Sequence, residues 1–171
     1  MSGPQRIFIT GFMGAGKTTV ATALARKLDC RMIDLDRYIA ERLRRTAQAI
    51  IDQDGEALFR EVETRSLLDV LETDAARVIA LGGGAWTIER NRALIARHKG
   101  FTVWLDAPFE LCWQRIASAL PLRPLARDRE RALRLYQERR ALYALADLRI
   151  QLREESSADD VAAEIYNLVL E

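Results

Sequence analysis

Eight residues, Gly11 to Thr18, constrain this chain more than any other stretch. GFMGAGKT sets three glycines and a lysine directly behind the apolar run Ile7-Phe8-Ile9 and directly ahead of a helical pattern. Glycines accept positive φ, so consecutive backbone N–H groups can turn inward around an anion. The helix that follows offers unpaired N–H groups and the positive end of its dipole to the same anion. The spacing is G-x-x-x-x-G-K-[ST], which supplies Lys17 as a compact charge for outer phosphates and the Thr18 hydroxyl for a Mg²⁺ shell. The chain has 23 arginines and only three lysines, so Lys17 departs from its habit at the position that needs a lysine. A glycine-rich turn without a ligand is the bland alternative. The motif says nucleoside triphosphate without naming the reaction, because switches, motors and kinases all carry it. A chain of 171 residues with no N-K-x-D guanine signature leans towards a kinase.

The remaining sequence alternates short apolar runs with helical patterns. Strands are expected at Arg6–Thr10, Arg31–Asp34, Arg77–Leu81, Phe101–Asp106 and Leu148–Leu152. Val20, Leu24 and Leu28 form one helical stripe, and Val161, Ile165, Leu168 and Val169 form another behind a capping-box-like Ser157-x-x-Asp160. This alternation predicts an α/β three-layer P-loop NTPase fold: a five-stranded parallel sheet with helices on both faces and ligands at the carboxyl ends of the strands. One domain over 1–171 is expected, with two excursions. Residues 35–72 read as a long helical region broken near Asp54-Gly55, and residues 117–128, with two prolines and no helical period, read as a mobile lid.

Carboxylates and glycines gather at the expected strand ends. A two-residue strand period would bring Asp34 and Asp36 to one side of the sheet edge. One could hold Mg²⁺ and the other accept a proton from an attacking hydroxyl; a plain helix cap is the alternative. Gly82, Gly83 and Gly84 follow the third strand, where they allow close approach of a ligand or make a loose turn. Asp106-Ala107-Pro108 reads as a helix entry rather than a metal site, and His98, the sole histidine, as a helix C-terminus.

GFMGAGKTT, the DLD pair, GEALFR at 55–60, GGG at 82–84, RPL at 123–125 and RRALYALAD at 139–147, taken together and in order, resemble the shikimate kinases. The resemblance implies ATP-dependent phosphorylation of the 3-hydroxyl of shikimate, on the route to aromatic amino acids. It also implies a division of labour. Gly14, Ala15, Gly16, Lys17, Thr18 and Thr19 would hold the ATP phosphates, with Thr18 and Asp34 at the metal. Arg115 would pack on adenine. Asp36 would bind the acceptor hydroxyls and serve as base. Arg60 and Arg139 would grip the carboxylate beside Gly82, Gly83 and Gly84, and Arg123 would close over the transferring phosphate. Planar guanidinium groups suit a carboxylate, and without the resemblance Arg60 and Arg139 would read as surface arginines.

The chain departs from the family pattern at Ala40, Arg44, Ala47 and Ile51, where Glu, Gly, Ile and Phe are usual, and at Ala141, usually proline. Four of these five fall in the acceptor-binding segment, expected at about 35–62. A kinase acting on another hydroxy acid such as gluconate, and a non-catalytic ATP-binding sensor, therefore remain rival readings. A net charge of +1 gives no reason to expect nucleic acid as a partner, and no apolar run is long enough for a membrane. Eight arginines against three acids between Arg115 and Arg140 leave a local excess that could meet a polyanion or form a solvated face. Cys30 and Cys112 read as reduced thiols. The expectation is a cytoplasmic monomer whose partners are small molecules.

Overall fold

The computed structural model describes residues 6–73, 76–119 and 128–170. Strands β1 (Arg6–Thr10), β2 (Met32–Asp34), β3 (Val78–Ala80), β4 (Gly100–Asp106) and β5 (Leu148–Gln151) form one parallel sheet in the order β2-β3-β1-β4-β5. β1 takes the centre because RIFIT is buried along its whole length, as a parallel strand covered on both faces requires. Ile7 sits in register with Val78 on one side and Phe101 on the other. From β1 the chain crosses to one half of the sheet, and from β4 to the other, so a crevice opens at their carboxyl ends.

The helices are α1 (Lys17–Lys27), α2 (Leu35–Leu43), α3 (Ala47–Asp54), α4 (Glu56–Glu72), α5 (Glu89–Arg97), α6 (Phe109–Ala117), α7 (Arg129–Tyr143) and α8 (Ala158–Leu170). Helix α1 buries Val20, Ala21 and Leu24 and packs against α8, which buries Val161 and Ile165. The Ser157 hydroxyl accepts from the Asp160 N–H at 3.1 Å and donates to its carboxylate at 2.6 Å, as the capping signal predicts. Among the described residues, no helix is long and apolar enough to cross a membrane.

The region 35–72 breaks at Gly55, where φ is 91°, as expected, but also at Arg44, which the sequence does not announce. Arg44 takes a left-handed φ of 56° with an ordinary side chain, and the Thr46 hydroxyl then caps α3 by accepting from the Ala49 N–H. The Arg44 side chain is exposed to solvent, while Ala47 and Ile51 pack partly buried against the core. Of the excursion at 117–128, Asp128 caps α7 by accepting from the Arg131 N–H at 2.8 Å. Arg123 lies outside the described residues. Among the described residues, three of these arginines pair with acids: Arg129 with Glu110, Arg134 with Glu130 and Arg140 with Asp106.

Candidate active site

The loop after β1 winds through positive φ at Gly11, Gly14 and Gly16. It also lies hard against neighbouring backbone: a Cβ on Gly11 would stand 2.7 Å from the Leu105 carbonyl oxygen, and one on Gly14 2.7 Å from that of Cys112. Phe12 is buried beneath the loop with its ring 5.3 Å from Tyr136, edge to face. Lys17 Nζ donates to the carbonyls of Gly11 and Phe12 at 2.9 and 3.0 Å, which holds the ammonium within the loop. The Thr18 hydroxyl donates to Asp34 Oδ2 at 2.5 Å, while Asp34 Oδ1 accepts from the Arg37 N–H at 3.1 Å. Asp34 is thus both the cap of α2 and the partner of Thr18. A hydroxyl and a carboxylate, both hard oxygen donors beside a phosphate loop, fit Mg²⁺, which takes its other ligands from phosphates and water.

Beside this loop lies a cavity of about 300 Å³. Ala15, Gly16, Thr19 and Arg115 line one wall, and Leu152, Arg153, Ser156 and Ser157 the other. Arg115 Nη1 donates to the Gly14 carbonyl at 3.0 Å, which ties α6 to the loop.

The three glycines after β3 form the other half of the site, and each is cleared for a different side chain. A Cβ on Gly82 would stand 2.5 Å from Asp36 Oδ1, one on Gly83 3.5 Å from Arg139 Nη1, and one on Gly84 would run into the Arg60 guanidinium. Asp36, Arg60 and Arg139 therefore converge on one backbone turn from α2, α4 and α7. Asp36 reaches it by a route other than the strand period: β2 ends at Asp34, and Asp36 lies in the first turn of α2. Arg60 donates to Glu63 at 2.8 Å and to Glu56 at 3.1 Å.

With this geometry in place, likeness to known proteins decides the family. The sequence profile of the shikimate kinases matches residues 13–170. Shikimate kinase of Ruegeria pomeroyi is 38% identical over 160 residues, covering 92% of this chain and 80% of its own. That of Geobacter sulfurreducens is 39% identical over 170 residues, covering 98% and 92%. The chain belongs to the shikimate kinase family. The structure of shikimate kinase from Acinetobacter baumannii in complex with shikimate superposes at a TM-score of 0.86 with 36% identity, over 96% of this chain and 92% of that one. ATP as phosphoryl donor follows from membership of this kinase family.

Three residues of this family member escape a reading of its sequence. Glu63 is 1% exposed, and burial pushes its carboxyl up to about 7, opposed by Arg60 and Arg139 and reinforced by Asp36. The available signal is that Glu63 interrupts the buried stripe Phe59, Leu67, Val70 three residues after an arginine. Tyr143 is buried on α7 four residues after Arg139, and its hydroxyl donates to the Gly83 carbonyl at 2.6 Å. Asp106 stands in the helix entry as expected, two residues before the Pro108 cap of α6, but its carboxylate does not cap the helix. Its buried carboxylate instead accepts from Arg140 at 2.7 and 3.2 Å and from Arg149 at 2.9 and 2.5 Å, with both guanidiniums over the Trp104 ring. That knot anchors α7 to the sheet. His98 closes α5 as expected, its N–H donating to the Leu94 carbonyl at 3.2 Å.

Proposed function

We infer that the protein transfers the γ-phosphoryl group of ATP to the 3-hydroxyl of shikimate. The observation that carries this reading is the convergence of two guanidiniums, Arg60 and Arg139, and one carboxylate, Asp36, on the Gly82–Gly84 turn at the same sheet edge as the phosphate loop. A carboxylate held by the arginines would leave a ring hydroxyl to face Asp36 and the phosphate chain. Family membership and the likeness to the shikimate-bound Acinetobacter enzyme support the choice of acceptor.

The chain's own residues then divide the work. The N–H groups of Gly14, Ala15, Gly16, Thr18 and Thr19 cradle the phosphates, and Lys17 leaves its loop carbonyls for the outer oxygens. Arg115 flanks the base in the cavity beside α8. Asp36 orients the hydroxyl and takes its proton as the new O–P bond forms and the bond to the ADP oxygen breaks. Thr18 and Asp34 would hold Mg²⁺, which when bound neutralises charge on the phosphate oxygens. The resemblance assigns Arg123 to the transferring phosphoryl group, residues 117–128 to a lid and residues 35–62 to the acceptor side. Arg44 is exposed at the end of α2.

The test is ADP release with MgATP, comparing shikimate, gluconate, a panel of nucleoside monophosphates and no acceptor. Release with shikimate alone is expected. Turnover only on another acceptor would move the assignment within the fold, and nucleotide binding without any acceptor-dependent release would favour the sensor.

A further inference from the structure

The acceptor residues are brought together by a helix and a turn that are stitched by two reciprocal hydrogen bonds. The turn donates to the helix through Trp86 Nε1, 3.0 Å from the Leu142 carbonyl. The helix donates to the turn through the Tyr143 hydroxyl, 2.6 Å from the Gly83 carbonyl. Arg139, four residues earlier on the same helix, sets its Nη1 3.5 Å from where a Gly83 Cβ would stand, so the guanidinium and the Tyr143 hydroxyl meet the same glycine. The Tyr143 hydroxyl thus ties α7, and with it Arg139, to the turn against which Asp36 and Arg60 are seated.

We propose that the Tyr143 hydroxyl is a positioning group for the acceptor pocket, setting the spacing of Arg139 from the Gly82–Gly84 turn and hence from Arg60 and Asp36. This rests on the reading of Arg60 and Arg139 as the carboxylate grip. An arginine has four rotatable side-chain bonds, and a grip made by two of them is selective only if each is held before the ligand arrives. Arg60 is held by Glu63 and Glu56. Arg139 is placed through α7, which the Tyr143 hydroxyl ties to Gly83. Burial pushes the phenol up to about 12, so its proton stays in place for Gly83 over the working pH range. The ring itself is firmly seated, 1% exposed and 6.2 Å from Trp104, the ring on which the anchored Arg140 and Arg149 stack.

The test is Tyr143→Phe in the full chain, which keeps the ring and removes only the hydroxyl. Wild-type turnover with shikimate is measured first; its absence would overturn the functional reading and this inference with it. In the variant, KM for shikimate should rise by about tenfold or more while KM for ATP stays within about twofold. In an Arg139→Ala background the same change should raise KM by no more than about threefold, because the group it positions is gone. An unchanged shikimate KM would overturn the proposal, as would the same factor in both backgrounds. A matched rise in both KM values with a lowered melting temperature would mark Tyr143 as a packing residue alone and overturn it too.

Discussion

Glu63 carries a charge that the core resists and the site tolerates. Its carboxyl titrates at about 7 against an ordinary value of 4.5, with burial as the leading cause and Arg60 as the main opposing charge. A carboxyl raised on folding stabilises the native state below the unfolded value and loses that contribution as pH climbs through the folded one. Between pH 4.5 and about 7 the Glu63 contribution should therefore decline by roughly 3 kcal/mol at most. Glu63→Gln does not titrate, so its stability relative to wild type should rise across that window in denaturant unfolding at several pH values. A flat difference would mean that Glu63 stays ionised throughout. Arg44 offers a second single-residue test. An L-residue at φ 56° is strained where glycine is not, and the side chain is exposed. Arg44→Gly should stabilise by about 0.5–1 kcal/mol after glycine's own entropy cost, with kcat and both KM values unchanged. A raised melting temperature accompanied by a changed shikimate KM would instead make Arg44 part of the pocket.

The elements differ in how much of them the sequence reveals. The phosphate loop is legible because its information is local: strand, glycines, lysine and helix follow one another within a short span of chain. The proposed acceptor half is assembled from α2, α4, α7 and a turn, and its side chains meet only in the fold. Asp36 illustrates the difficulty. Alternation along a strand would bring it to the sheet edge, but Asp34 caps a helix that begins at Leu35, and Asp36 arrives by the first turn of α2 instead. The break at Arg44 carries no glycine or proline signal, and Asp106 declares its role only through arginines 34 and 43 residues away. The proposed roles of Arg60 and Arg139 come from the family resemblance; spacing alone would have left both on the surface. The double duty of Asp34 can be separated experimentally. Asp34→Asn keeps an oxygen for the Arg37 N–H and should leave stability within about 0.5 kcal/mol while raising the Mg²⁺ needed for half-maximal activity about tenfold or more. Asp34→Ala should lose about 1 kcal/mol of stability as well. Equal stability for the two variants would remove the capping role.

Across the whole molecule, the proposed function sets two sites with separate walls at one sheet edge. On the proposed reading, nucleotide contacts would come from the phosphate loop, α1, α6 and the approach to α8, and acceptor contacts from α2, α4, the glycine turn and α7. Helix α7 is common to both: Tyr136 meets Phe12 of the phosphate loop, while Tyr143, two turns on, meets Gly83. If the walls are energetically separate, each ligand should stabilise the protein on its own. ATP at about 100 times its Kd should contribute about 2.7 kcal/mol. In a domain of this size that raises the melting temperature by about 5–10 °C. Arg60→Ala should keep the ATP shift and lose the shikimate shift. The variant's starting temperature is a poor readout, because removing Arg60 leaves Glu63 buried without its partner, and the carboxyl then takes up a proton or destabilises the fold. The ligand-induced shift, measured about one pH unit below the Glu63 value of about 7 so that the carboxyl is largely protonated, avoids that penalty. Loss of both shifts would make Arg60 a support for the whole edge rather than half of a carboxylate grip.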